Sequence, residues 1–341
     1  MKKLCIVLCL LALQTSLGVF AKSPRQAVPS PLEKGLGSIN RESAQAFVEF
    51  LASDELQGRE AGTEGGRIAG NYLASLLKLW KVQPLYKDYF QPFEAYRVER
   101  QRKGRLQVHP DSIRQIKEQG VYQKYVMRNI LCQIEGKKKE EYVVIGAHYD
   151  HLGIDPMLAG DRIYNGADDN ASGVSAVLQI LRGFLTAGTQ PERTIIFAFW
   201  DGEEKGLLGS KYFAQTFPDM KKIKGYLNFD MIGRNNNENR PLHVVYFYTA
   251  GQPVFGEWLK KDIQEYRLQL EPDYRAWDRP TGGSDNATFA LHDIPIMWYH
   301  TDGHRDYHLP GDESDKLNWN KLVEITRAAF LGMWKMANEN W

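Results

Sequence analysis

Gly166-Ala167-Asp168-Asp169-Asn170-Ala171-Ser172-Gly173 sets two adjacent carboxylates among small residues. Val174, Val177, Leu178, Leu181 and Leu185 follow at the spacing of one helix face. Asn170 or Ser172 is placed to cap that helix. Alone, such a stretch reads as a solvated turn with a capping Asp. Its neighbours change the reading. An apolar run at 143–147 ends in His148-Tyr149-Asp150 before it, and a run at 194–200 ends in Asp201-Gly202-Glu203-Glu204 after it.

Working outward, apolar runs at 142–147, 194–200, 226–232, 242–248 and 294–299 are continuous rather than alternating. Strands buried on both faces read this way, and parallel sheets covered by helices require it. Helical patterns lie between and after them, at 171–187, 206–216, 252–266 and 319–338, with two earlier helices from residue 40 and over 66–80. The alternation predicts an α/β fold, a single domain over 39–341 with a mixed, mainly parallel central sheet and helices on both faces. Residues 87–127 suggest edge strands and an exposed connection, and 137–141 a solvated turn.

Lys2 and Lys3 precede an apolar run at 4–13, and Val19-Phe20-Ala21 offers small residues at a cut site. This reads as a cleavable signal peptide over 1–21, implying export to a periplasmic or extracellular space. The run is too short and too broken to span a membrane. Residues 22–38 read as an exposed lead-in. Without the leader the formal charge is about −1. That gives no electrostatic case for nucleic acid or acidic membranes as partners. Cys132 is then the sole thiol, so no internal disulfide is expected, and its strand-like setting suggests a buried small hydrophobe.

The chemistry-bearing residues fall at or beyond the carboxyl ends of the expected strands, where such folds place ligands. They are His148 and Asp150, Asp168 and Asp169, Glu203 and Glu204, Asp230, and His308. Each alone has a bland reading as a turn former or a solvated helix start. Two His and three carboxylates at one sheet edge form an unbalanced cluster without metal. Asp168, Glu204 and Asp230 carry −3, against +4 for two Zn²⁺. Imidazole and carboxylate without thiolate suit catalytic zinc. Two metals roughly 3.5–4 Å apart, bridged by one Asp, activate water and polarise a carbonyl. Asp150 is the natural carboxylate to orient His148.

His148-Tyr149-Asp150, the 166–173 stretch, Asp201-Gly202-Glu203-Glu204 with Gly206-Leu207-Leu208-Gly209-Ser210, Asn228-Phe229-Asp230-Met231-Ile232-Gly233 and Tyr307-His308-Leu309-Pro310-Gly311-Asp312 together resemble one family. It is the co-catalytic dizinc exopeptidase family of secreted bacterial aminopeptidases and glutamate carboxypeptidase, with glutaminyl cyclases as a divergent branch. The stretch at 56–63 is similar to the family's N-terminal region, so the likeness runs from about 50 to 315, without an inserted protease-associated domain. The resemblance implies two Zn²⁺ per chain and a peptide substrate. His148 and Asp230 would bind one zinc, Glu204 and His308 the other, with Asp168 bridging. Glu203 would be the general base and later the general acid, and Tyr307 would stabilise the oxyanion. A cis peptide would join Asp168 to Asp169. The implied activity is that of an aminopeptidase. A glutaminyl cyclase, a carboxypeptidase and a non-catalytic binding protein on the same scaffold are the alternatives. Ser284-Asp285-Asn286 departs from the family's Ser-Asp-His, leaving Asp285 as a structural or supporting residue. Tyr274, Arg275, Trp277 and Arg279 in 270–283 are expected to rim the pocket, or to pack on their own aromatics.

Overall fold

The computed structural model describes residues 28–98 and 105–341, so the leader expected at 1–21 lies outside the described residues. Its helices are α1 (Pro31–Gly37), α2 (Arg41–Leu51), α3 (Glu64–Leu79), α4 (Pro110–Glu118), α5 (Gly173–Ala187), α6 (Leu208–Thr216), α7 (Val254–Tyr266), α8 (Asn286–Ala290) and α9 (Trp319–Asn338). Its strands are β1 (Gln83–Pro84), β2 (Phe90–Val98), β3 (Tyr122–Ile134), β4 (Lys138–His148), β5 (Gly153–Ile154), β6 (Ile163–Tyr164), β7 (Arg193–Trp200), β8 (Ile223–Phe229), β9 (His243–Thr249), β10 (Glu271–Trp277) and β11 (Ile296–His300). The main sheet runs β1-β3-β7-β4-β8-β11-β9-β10, with β2 also paired to β3. The centre of that sheet, β7-β4-β8-β11, is parallel throughout. β2 and β3 close one side antiparallel, and β9 turns against β11 on the other. This is the mixed, mainly parallel α/β domain that the apolar runs predict.

The parallel strands are continuous in burial as well as in sequence, since all eight residues of β7 are buried. α5 is buried over nearly its whole circumference, because it lies between the sheet and a layer of α1, α2 and α9. Leu322, Ile325, Ala329 and Met333 turn the inner face of α9 to the core and are fully buried. Each large apolar side chain so placed contributes about 1.5–3 kcal/mol. Cys132 sits unpaired and fully buried in β3, where burial pushes its thiol up. Among the described residues, no helix is long and apolar enough to cross a membrane.

Two expectations need correction. The segment at 22–38 is not wholly a lead-in, because α1 packs on α5. A Cβ at Gly35 would stand 2.5 Å from the Phe330 ring and 2.7 Å from the Gly183 carbonyl. The solvated turn expected at 137–141 instead opens β4, with the exposed charges of residues 138–140 along an edge.

Candidate metal centre

The parallel strands deliver the site residues to one edge of the sheet. His148 ends β4, Glu203 and Glu204 follow β7, Asp230 follows β8, and His308 stands in the loop beyond β11. Between β6 and α5, Ala167–Ser172 forms a widened helical turn. Gly166 enters it at φ +58°, and a Cβ there would meet the Asp169 carbonyl at 2.2 Å and the His151 ring at 2.5 Å. The Asn170 carboxamide accepts from Gly173 N–H, at the start of α5, at 3.1 Å and donates to the Phe229 carbonyl. That ties the acidic turn to the end of β8. Asn170-Ala171-Ser172 and Asn286-Ala287-Thr288 have the form of sugar-acceptor sequences, but both Asn side chains are fully buried and not open to modification.

Asp169, not Asp168, stands at the centre. One Asp169 carboxylate oxygen lies 3.3 Å from His148 Nε2 and the other 3.2 Å from His308 Nε2. Asp168 faces away: its carboxylate accepts from Gly233 N–H at 2.5 Å and lies 3.4 Å from His304 Nε2. The physical reason is simple. Adjacent residues on this turn project in opposite directions, and the Asp312 carboxylate accepts from the N–H groups of both, fixing which one faces the cluster. The cis peptide likewise joins Asp169 to Asn170, one bond later than the resemblance implies.

Two groups have the donor chemistry to hold divalent cations: His148, Asp169 and Asp230, and His151, Asp169 and Glu204. In each, one ligand atom per residue lies within 4.8 Å of the others. His308 Nε2 also reaches the second group, 3.2 Å from Glu204. His151 is the residue that sequence reasoning missed. Its Nδ1 lies 2.8 Å from Glu204, its ring meets His308 at 5.9 Å, and its Nε2 has no hydrogen-bond partner. The only signal was its place one residue after Asp150.

Carboxylates and imidazoles hold one another charged here. Burial raises the Asp169 carboxyl, but the bond from His148, the charge of His151 and the bond from His308 outweigh it and leave it well below the usual range. Burial and Asp169 raise Glu204, and the bonds from His151 and His308 outweigh them. Hydrogen bonds to Asp169 and Glu204 push His308 up to about 10. Glu203 goes the other way. Burial, with the like charges of Asp230, Asp285 and Glu204, raises its carboxyl well above the usual range, against the pull of His148. Carboxylate and imidazole without thiolate, drawn together as two groups sharing one Asp, fit zinc.

Around the cluster, Asp150 differs from its expected part. Its carboxylate accepts from Glu203 N–H at 3.0 Å, and His148 Nδ1 lies nearer its main-chain oxygen, at 3.2 Å, than its carboxylate, at 3.7 Å. Tyr307 stacks on His308 at 3.9 Å, and burial with four surrounding carboxylates pushes its hydroxyl up, keeping it a donor. Arg59 was also not anticipated. Fully buried, it donates to the carbonyls of Tyr149, Leu51, Asn165, Gly166 and Asp169. All five of its N–H donors are thus used, four on the stretches that carry His148 and Asp169 and one on the end of α2.

A cavity of about 280 Å³ opens over the cluster, lined by His148, Asp169, Glu203 and Asp230 together with Met231, Gly283, Trp298, His300 and Tyr307. Asn286 closes the turn at its rim by donating to the carbonyls of Pro280 and Gly282. Asp285 is buried with both oxygens unbonded, and burial pushes it up to about 7. The aromatics of 270–283 do not rim this cavity. β10 is an edge strand in which Tyr274 packs on Tyr246, Trp277 on Phe247, and Arg275 forks onto Asp302.

Known proteins share this fold. A probable leucine aminopeptidase of Arthroderma otae is 27% identical over 224 residues, 61% of this chain and 57% of that one. The chain spans about half the length of the curated relatives it first matches. The solved LapA aminopeptidase of Legionella pneumophila superposes with a TM-score of 0.67 at 22% identity, over 91% of this chain and 75% of that one. A glutaminyl cyclase from Fimbriiglobus ruber superposes at 0.65 and 16% identity, over 87% and 95%. The family described as Peptidase family M28 matches residues 129–332, more than half of the chain and the span that carries every candidate ligand. On that match this chain belongs to peptidase family M28.

Proposed function

We propose that the chain is an exported zinc aminopeptidase that removes N-terminal residues from peptides. The observation that supports this reading most directly is the sharing of Asp169 between two carboxylate–imidazole groups. His148, Asp169 and Asp230 would hold one zinc, and Asp169, Glu204 and His308 the other, with His151 beside them. Zinc bound there would supply an activated water and a polarised scissile carbonyl. Glu203, aimed into the same cavity and held basic by bound cations, takes the proton of the attacking water and delivers it to the leaving amine. Tyr307 donates to the developing oxyanion. The name of the Arthroderma relative favours leucine-like termini, and the mixed apolar and polar lining of the cavity is consistent with them.

The test is a panel of free-amino, blocked-amino and N-terminal Gln peptides, with metal counted per chain and with chelator added. Hydrolysis confined to free-amino peptides at two zinc per chain supports the proposal. Ring closure of N-terminal Gln at one zinc per chain identifies a cyclase instead. Glu203→Gln should retain its zinc and lose about 10³-fold or more in kcat. A variant near wild-type activity would remove Glu203 from its role.

A further inference from the structure

Glu203 and Glu204 are consecutive, yet they line different cavities. Glu203 faces the 280 Å³ cavity over the cluster, whereas Glu204 walls a second one of about 640 Å³. The second is basic, with Arg105, His109, Lys205 and Lys211 in its lining. Two of these are already engaged. Lys205 pairs with Glu60 at 2.6 Å, and His109 caps α4 by accepting from Asp111 N–H. Arg105 and Lys211 have no carboxylate partner among the described residues. Lys211 donates only to the Gly206 carbonyl, at 2.8 Å.

Partial burial and the charge of Arg105 push the Lys211 amine down, while Asp285 and Glu203 hold it up. Lys211 therefore lies within the electrostatic reach of both Arg105 and the catalytic acid. Two like charges in one cavity beside a metal group repel, and an anion between them relieves the repulsion. Arg and Lys pair strongly with carboxylate or phosphate oxygens, and of the two an unmodified peptide carries carboxylate.

We propose that this cavity is a subsite for a carboxylate on the amine side of the scissile bond, which makes short peptides, or peptides acidic just beyond that bond, the preferred substrates. The proposal rests on the aminopeptidase reading. With the N-terminal residue in the smaller cavity and the carbonyl at the metals, the leaving portion runs past Glu204. Each further residue extends it by about 3.3–3.6 Å. The carboxylate is either the chain end of a dipeptide or tripeptide, or an acidic side chain.

The experiment compares Leu-Gly-Gly, Leu-Gly-Gly-amide and Leu-Glu-Gly-amide on the zinc-loaded enzyme, with leucine p-nitroanilide as a probe that lacks the carboxylate. The acid is expected to exceed the amide roughly tenfold in kcat/KM, through KM, and the preference should shrink as salt rises. Lys211→Met and Arg105→Gln should each reduce the ratio, and Arg105→Gln should leave anilide hydrolysis unchanged. Arg105 and Lys211 are both exposed, so neither variant is expected to disturb the fold. Restored turnover of Leu-Glu-Gly-amide assigns the subsite to a side chain, and its absence assigns it to the chain end. Equal rates for acid and amide in the wild type, or a ratio untouched by both variants, overturn the proposal. No hydrolysis of any free-amine substrate, anilide included, overturns the aminopeptidase reading and this proposal with it.

Discussion

Replacing Arg59 with Met tests whether the metal loops are held from behind. The guanidinium is fully buried and spends its donors on five main-chain carbonyls. Gly166 O keeps a second donor, Ala171 N–H at 3.3 Å, so four of the five carbonyls would be left unpaired. At about 1 kcal/mol or more for each buried acceptor left unpaired, the loss is about 4 kcal/mol. That is a large share of the roughly 5–15 kcal/mol that holds a typical domain together. Urea denaturation of the zinc-free protein should show this shift. Zinc affinity, measured by competition with a chelator, should fall about 10–100-fold, because Arg59 fixes the carbonyls of Tyr149 and Asp169 beside two ligands. The sign discriminates. Removing a positive charge next to Asp169, Asp150 and Glu204 would by itself strengthen cation binding. A folded Arg59→Met with unchanged or tighter zinc binding, or one destabilised by under about 1 kcal/mol, refutes the reasoning. Arg59→Lys keeps the charge but not the fork, and should fall between the two.

Asp169→Asn should lose zinc to one ion or fewer per chain and reduce kcat about 10³-fold, whereas Asp168→Asn should keep both ions and most turnover; the reverse pattern in metal analysis would return the bridge to Asp168. Lys321 gives a pH signature. It is buried, donates to the Arg234 carbonyl at 2.7 Å, and burial pushes its amine down to about 8. Its folded value lies below its unfolded one, so between pH 8 and about 10.5 the unfolded chain binds the extra proton and stability rises with pH, by up to about 3 kcal/mol. Buried tyrosines, raised by their burial, work in the opposite sense near the top of that range. The measurement is therefore the wild-type minus Lys321→Met difference in denaturant midpoints from pH 7.5 to 9.5, and a flat difference contradicts it.

Parallel strands announce themselves because both faces are buried, which is why the core strands and α5 were readable from apolar runs alone. β10 was not. Glu271, Pro272, Asp273 and Arg275 break any apolar run, and the strand exists because β9 offers it a free edge. The ligand types and their strand ends were legible in the same way, since each closes a recognisable run. Which of two adjacent Asp residues faces the metals was not, because that depends on Asp312, far along the chain, gripping both N–H groups. Arg59 and His151 are silent for a related reason. A lone Arg in a Gly-punctuated turn carries no pattern, and its five acceptors are carbonyls, which any residue supplies. His304 meets Asp168 only after the loop beyond β11 has folded back.

The ligands stretch from His148 to His308, and the clamp that steadies two of them begins at Arg59. A ribosome must therefore finish nearly the whole chain before the metal centre can close. On the export proposed above, a chain carried across the membrane unfolded would cross with no site to fill. The metal it finally carries would then be drawn from the pool at its destination, and the supply there, rather than in the cytoplasm, would decide how much of the protein becomes active.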